Sequence, residues 1–231
     1  MFEGFPEETI RFFLDIRFHN DIAYYKAHED EYVRYVKQPF FDFINALAPT
    51  VAQVADDIEL RPEKCLARFR RDTRFTKDKA PYRDHLWLLF RRSGEPRENS
   101  VMYWFELSPE TVNWGLGFWG ENRVLLDELR RRMLTRPSEL QDALRACGVP
   151  DDTLRIEGES YKRMKLPEEL APSLKPYYPL KDIYIARRGV ALREAYRPTI
   201  VDEFAKDILR LKPMYRLFRE AADVALSRLQ G

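Results

Sequence analysis

Seven basic side chains stand within sixteen residues: Arg68, Arg70, Arg71, Arg74, Lys77, Lys79 and Arg83, with only Asp72 and Asp78 against them. The local excess is five positive charges, whereas the whole chain carries 39 Lys and Arg against 38 Asp and Glu. Charge is concentrated here, not spread. Guanidinium forks and ammonium groups held close together suit an anion such as a phosphate or a carboxylate. A net charge of +1 argues against a protein that coats nucleic acid by bulk electrostatics.

Strand geometry gives the cluster a direction. Over Leu66–Phe75, alternation puts Arg68, Arg70, Asp72 and Arg74 on one face and Phe69, Arg71, Thr73 and Phe75 on the other. The phenylalanine face is then the candidate core, and Arg71 spoils it unless a bulge, a partner or a snorkelling stem accommodates it. The other face repeats guanidiniums at roughly 6.5–7 Å, with Asp72 placed to hold Arg70 and Arg74 by charge-assisted hydrogen bonds. The run Thr76-Lys77-Asp78-Lys79-Ala80-Pro81-Tyr82 reads as a turn that aims Lys77 and Lys79 back over the same face. It lacks the glycines of a P-loop, so side chains would hold the anion. The bland alternative is a solvated strand face whose ion pairs are each worth about 0–1 kcal/mol.

Other chemistry is sparse. His19, His28 and His85 form no HxH, HxxxH or CxxC pattern, so no metal site is evident. His28 shares a helical side with Tyr25 and Tyr32; His85 follows Asp84 and is the histidine nearest the basic motif. Neither Cys65 nor Cys147 has the neighbours of a nucleophile, and no Gly-x-Ser-x-Gly elbow occurs. Both cysteines read as core residues. Trp114-Gly115-Leu116-Gly117-Phe118-Trp119 offers rings for stacking, but a packed strand whose glycines admit a close neighbour is the plainer reading. The residues name no catalytic group and no cofactor.

The elements that must position the cluster follow from periodicity. With 231 residues and 45% hydrophobic content the chain suits one domain over 1–231. Residues 1–55 read as helical: a helix from Pro6 to about Phe18, a second from Asn20 or Asp21 through Lys37, a break at Pro39, and a third with Phe40, Phe43, Ile44 and Leu47 inward. Residues 60–120 read as an antiparallel meander of four strands: 66–75, 85–90, 101–107 and 112–119. Residues 121–231 return to helices, from Glu121 and from Ser138 to a Gly148 cap, then 199–211 and 213–229, with one more strand near 183–186. The segment 152–179 stays unassigned. The fold class is therefore α+β, an antiparallel sheet of about four to five strands covered by N- and C-terminal helices. No secretory signal and no run of ~20 apolar residues is seen, so a soluble cytoplasmic protein without a membrane partner is expected, and two cysteines fit a reducing compartment.

The run Arg70-Arg71-Asp72-Thr73-Arg74-Phe75-Thr76-Lys77-Asp78-Lys79-Ala80-Pro81-Tyr82-Arg83 resembles the signature of an uncharacterised bacterial and fungal family known as domain of unknown function 2461. The resemblance extends to the helix pair in Phe5–Leu47, to Trp114–Trp119 and to the closing Leu-Lys-Pro-Met-Tyr-Arg-Leu-Phe at 211–218. Members of that family often carry Asn-Asn and Trp-Phe where this chain has His19-Asn20 and Tyr24-Tyr25. The resemblance implies a shared fold and site, and no activity.

Two functions are weighed. The first is a site for a small phosphorylated or carboxylated ligand held by Arg68, Arg70, Arg74, Lys77 and Lys79 and oriented by Asp72, with Asn20, Tyr25 or His28 closing it. The second is a non-enzymatic interaction module for an acidic protein or nucleic acid. Neutral net charge and a compact cluster favour the small ligand. Single-stranded nucleic acid would call for exposed aromatic rings beside the charges.

Overall fold

The computed structural model describes residues 2–118, 120 and 122–230. Trp119 and Glu121, where the fourth strand is expected to end and the next helix to begin, lie outside them. Five strands, β1 (Leu86–Arg91), β2 (Val101–Leu107), β3 (Thr111–Phe118), β4 (Arg155–Glu157) and β5 (Tyr184–Ala191), form one antiparallel sheet in the order β1-β2-β3-β5-β4. The fold class is α+β, as the periodicity indicates. The strand expected over Leu66–Phe75 does not form, and β4 comes from the segment without an assignment; its register pairs Arg155 with Ala186 and Glu157 with Tyr184.

Contacts group the chain into two compact units. The first comprises Met1–Phe90, Trp104–Trp114 and Arg188–Lys206. Its helix α1 (Glu7–Phe18) opens on Pro6 with Glu7 and Glu8 at the positive end of the dipole and buries Ile10, Phe12, Phe13 and Ile16. Helix α2 (Ile22–Ala27) is capped by the Asp21 carboxylate, which accepts from Tyr24 N at 2.8 Å. Then α3 (Glu29–Glu31), a π-helical stretch Tyr32–Lys37 and α4 (Gln38–Val51) follow without an intervening loop.

The break expected at Pro39 is therefore absent, and the reason is local. Proline cannot donate to the carbonyl four residues back, and its ring crowds that carbonyl. Here the wider turn brings Gln38 N to Val33 O, and the Thr9 hydroxyl donates to the Tyr35 carbonyl that Pro39 cannot serve. The helix continues, with Phe40, Phe43, Ile44 and Leu47 fully buried. Phe43 lies 4.6 Å from Phe105 of β2, and Phe105 and Trp114 each lie 5.7 Å from Phe204 of α9 (Ile200–Arg210), ring centroid to ring centroid. Short helices α5 (Pro62–Cys65) and α8 (Leu192–Ala195) complete the unit.

The second unit comprises Arg91–Tyr103, Gly115–Arg187 and Asp207–Gly231. Helix α10 (Lys212–Gln230) packs on α6 (Arg123–Thr135) and α7 (Pro137–Cys147), and Phe218 of α10 meets Phe118 of β3 at 4.9 Å. The Tyr103 hydroxyl, buried with its strand, donates to Ile208 O at 3.0 Å. Gly115 and Gly117 admit the neighbouring chain: a Cβ at either position would sit 2.3 Å from Ile185 O or 2.5 Å from Ile183 O. Helix α7 ends on Gly148 in the left-handed region, φ +60°. Among the described residues no helix is long and apolar enough to cross a membrane.

Candidate functional site

Residues 66–88 fold back as a narrow arm. Ala67 N donates to Trp87 O at 2.9 Å, Arg83 N to Phe69 O at 3.1 Å, and Arg71 N to Pro81 O at 2.8 Å. Between the first two of these bonds the outgoing chain has one residue, Arg68, and the returning chain has three, Asp84, His85 and Leu86. The returning chain thus carries a bulge of two extra residues, which bends a strand and re-aims its side chains. This explains the missing strand at Leu66–Phe75. Pairing survives only as isolated bridges at Leu66↔Leu88 and Arg70↔Tyr82, Pro81 has no N–H to give, and Asp72 turns the chain by accepting from Arg74 N at 3.2 Å. The expected alternation fails with it. Phe69 is buried at 6% exposure while Phe75 stands 89% exposed.

The arm is fastened to the N-terminal helices by two devices. The Asn20 side chain copies a backbone partner: its Nδ2 donates to Tyr82 O at 3.0 Å and its Oδ1 accepts from Tyr82 N at 2.9 Å. Tyr82 then stacks on Tyr25 at 4.3 Å, and Phe69 on Tyr32 at 4.6 Å. Burial pushes the Tyr25 and Tyr82 phenols up from their ordinary values.

At the base of the arm lies a cleft of about 530 Å³. Arg17 lines it from the end of α1, Arg71 and Asp78 from the outgoing chain and its loop, and Tyr82 to His85 from the returning chain. Arg17 is shared by two carboxylates, with Nε on Asp84 and Nη1 on Glu110, both at 2.6 Å. Those two bonds raise the Arg17 guanidinium above its ordinary value. Burial pushes Asp84 up, but hydrogen bonds from His85 and Arg17 outweigh it and hold the carboxyl below its ordinary range.

His85 is thereby oriented. Its Nδ1 meets Asp84 Oδ1 at 3.0 Å, its Nε2 faces Glu106 Oε1 at 4.0 Å, and its ring stacks on Trp87 at 5.4 Å. With Nδ1–H donating to Asp84, Nε2 is the nitrogen left facing Glu106. Trp87 also carries the Arg83 guanidinium 4.5 Å from its ring centroid. Arg71 pairs with Asp78, which it holds, together with Ala80 N–H, below the ordinary carboxylate range. The lining thus sets three guanidiniums against two carboxylates, Asp78 and Asp84, each already engaged by cations.

A family model described as a conserved hypothetical protein, DUF2461, matches residues 8–217. The chain belongs to that family. No curated protein and no solved structure gives a significant match. The match takes in the whole arm and every cleft residue of this DUF2461 protein.

The structure distributes the sequence candidates unevenly. Asn20 lines the cleft; Arg68, Arg70, Asp72, Arg74, Lys77 and Lys79 do not. Arg74 lies in a bidentate pair with Asp72, at 3.0 and 2.7 Å, in open solvent. Lys79 Nζ donates to Thr73 O at 2.8 Å. Arg68, Arg70 and Lys77 are exposed and make no ion pair among the described residues. Tyr25 belongs to the aromatic anchor, and His28 stacks on Tyr24 at 4.0 Å with its Nδ1 2.8 Å from the Tyr24 carbonyl. The cleft residues outside the candidate set are Arg17, Arg71, Asp78, Ala80, Tyr82, Arg83, Asp84 and His85. Arg71 carries a signal in sequence, as the charge that does not fit an apolar face. Arg17 carries none, because its partner Asp84 is 67 residues away.

Proposed function

We propose that the cleft binds a small anionic ligand, a phosphorylated or carboxylated compound, with Arg71 and Arg83 as its main cations. The observation that carries the reading is the charge arrangement: Arg71 and Arg83 line one concave space whose acids are already held by Arg17, His85 and Arg71 itself. Asp78 is the group a ligand would displace. Its side chain is 63% exposed, so its pair with Arg71 is screened by water and weak, and a ligand phosphate or carboxylate can take its place on the same fork by charge-assisted bonds. His85 faces Asp84, Glu106 and Trp87 at the wall of the cleft.

Calorimetry with inorganic phosphate, sugar phosphates and dicarboxylates tests this. At least one should bind, more weakly at higher salt, and Arg71→Ala or Arg83→Ala should cost about tenfold each. Arg145→Ala, which removes an exposed pair with Asp142 elsewhere, should change nothing. A panel with no binder, or cleft variants that bind as the parent does, overturns the proposal.

A further inference from the structure

We propose that the tip of the arm docks single-stranded nucleic acid, with Phe75 stacking on a base and Arg70, Lys77 and Lys79 taking phosphates. Phe75 is the most exposed large apolar side chain among the described residues, at 89%. A single exposed ring is unremarkable by itself. Its surroundings are what matter. The two acids at the tip of the arm are consumed locally, Asp72 by Arg74 and Asp78 by Arg71. The excess positive charge of the arm therefore survives pairing, on Arg70 and Lys77 without an ion pair among the described residues and on Lys79 against a neutral carbonyl. Asp72 also holds the Arg74 guanidinium, whose carbon lies 5.4 Å from the Phe75 ring centroid, so a cation flanks the stacking surface. Sequence-tolerant single-strand binding uses this combination of an open ring and neighbouring cations.

The tip is also held in shape before any partner arrives. Thr76 Oγ1 donates to Asp78 O at 2.7 Å, Ala80 N to Asp78 Oδ1 at 2.9 Å, and Lys79 Nζ ties across to Thr73 O. A preformed loop loses less entropy on binding. An acidic protein would use the charges and leave Phe75 without a role. A bilayer would take one ring while drawing Asp72 and Asp78 toward anionic headgroups, and one ring anchors poorly. A short stretch of bases on a phosphate chain uses both features.

The test is fluorescence anisotropy of a labelled oligothymidylate with the full chain. Binding is expected with a Kd of about 10⁻⁴ to 10⁻⁶ M, and three phosphate contacts give a slope of log K against log salt near ~−2. Phe75→Ala should weaken binding about tenfold and leave the slope, and Phe75→Trp should restore it. Arg70→Ala and Lys77→Ala should each make the slope shallower by about 0.7. All three substituted positions are exposed, so loss of folding does not confuse the result. Phosphate binding in the cleft should be unmoved by Phe75→Ala, which separates failure here from failure of the cleft proposal. No binding at about 10⁻⁴ M, equal binding by Phe75→Ala, or Phe75-dependent binding to phosphatidylserine vesicles in place of the oligonucleotide overturns the inference.

Discussion

Two arginine clusters in this chain use the same bond and end in different states. On α6 a single carboxylate, Glu128, is 3% exposed and collects Arg131 at 2.6 Å, Arg132 at 3.0 Å and Arg228 at 2.6 Å. On the arm, Asp72 and Asp78 are 56% and 63% exposed and hold one arginine each. Hydrogen bonds from arginine, Arg131 foremost for Glu128 and Arg74 for Asp72, pull both carboxyls to about 2. Equal pKa values do not mean equal stabilisation. Water around Asp72 screens the pair and offers both ions an alternative partner, whereas the Glu128 charge has nowhere to go if its arginines leave. The first cluster holds the fold together. The second keeps its cations available at the surface.

Glu128→Gln is the sharpest way to break this contrast. It should cost about 3 kcal/mol in chemical denaturation, the low end for a broken buried pair because Arg131 and Arg228 keep some water. We propose that residues 1–231 unfold as one cooperative unit, so that fluorescence and circular dichroism should shift together in this variant. Each compact unit is built from three separate stretches of chain, and a stable proteolytic fragment 60–231 would count against the proposal.

The pH dependence follows from the same residue. The folded carboxyl sits near 2, below its ordinary 4.5, so its contribution is present above about 4.5 and fades as pH falls from there toward 2. The stability gap between the parent chain and Glu128→Gln should close over that window; a gap constant to pH 2 would contradict it.

Asn20→Ala comes next in size. It removes both hydrogen bonds to the Tyr82 backbone, about 2 kcal/mol together, and amide exchange at Tyr82 should quicken. Unchanged exchange would mean the aromatic stack alone fastens the arm. The smallest expected effect is Asp78→Asn: under about 1 kcal/mol in stability, with phosphate affinity rising several-fold as a competing carboxylate is lost. A large stability loss would place the arm with the Glu128 cluster as a folding device.

Much of the fold is written in local pattern. Acidic residues after Pro6, a cap at Asn20 or Asp21, the apolar spacing of Phe40 to Leu47, and the apolar runs at 85–90, 101–107 and 112–119 each depend on a few neighbouring residues. Those preferences act before any tertiary contact forms. The antiparallel α+β class follows from them, as do the glycines at 115 and 117. Pro39 misleads because its cost is removed by Thr9, a residue thirty positions earlier whose hydroxyl no local pattern assigns to that carbonyl. The basic motif is equally visible, but its geometry is not. Alternation presumes an unbroken ladder; two extra residues on the returning chain interrupt it beside Asp84 and His85, which line the cleft, and the Asp72 turn ends it before Phe75, which stands in solvent. Register of that kind is set by how two segments meet, through Asn20 on Tyr82 and Arg17 on Asp84. Residue types thus marked where charge would gather, while only the tertiary pairing decided which charges share a concave surface and which stand in water.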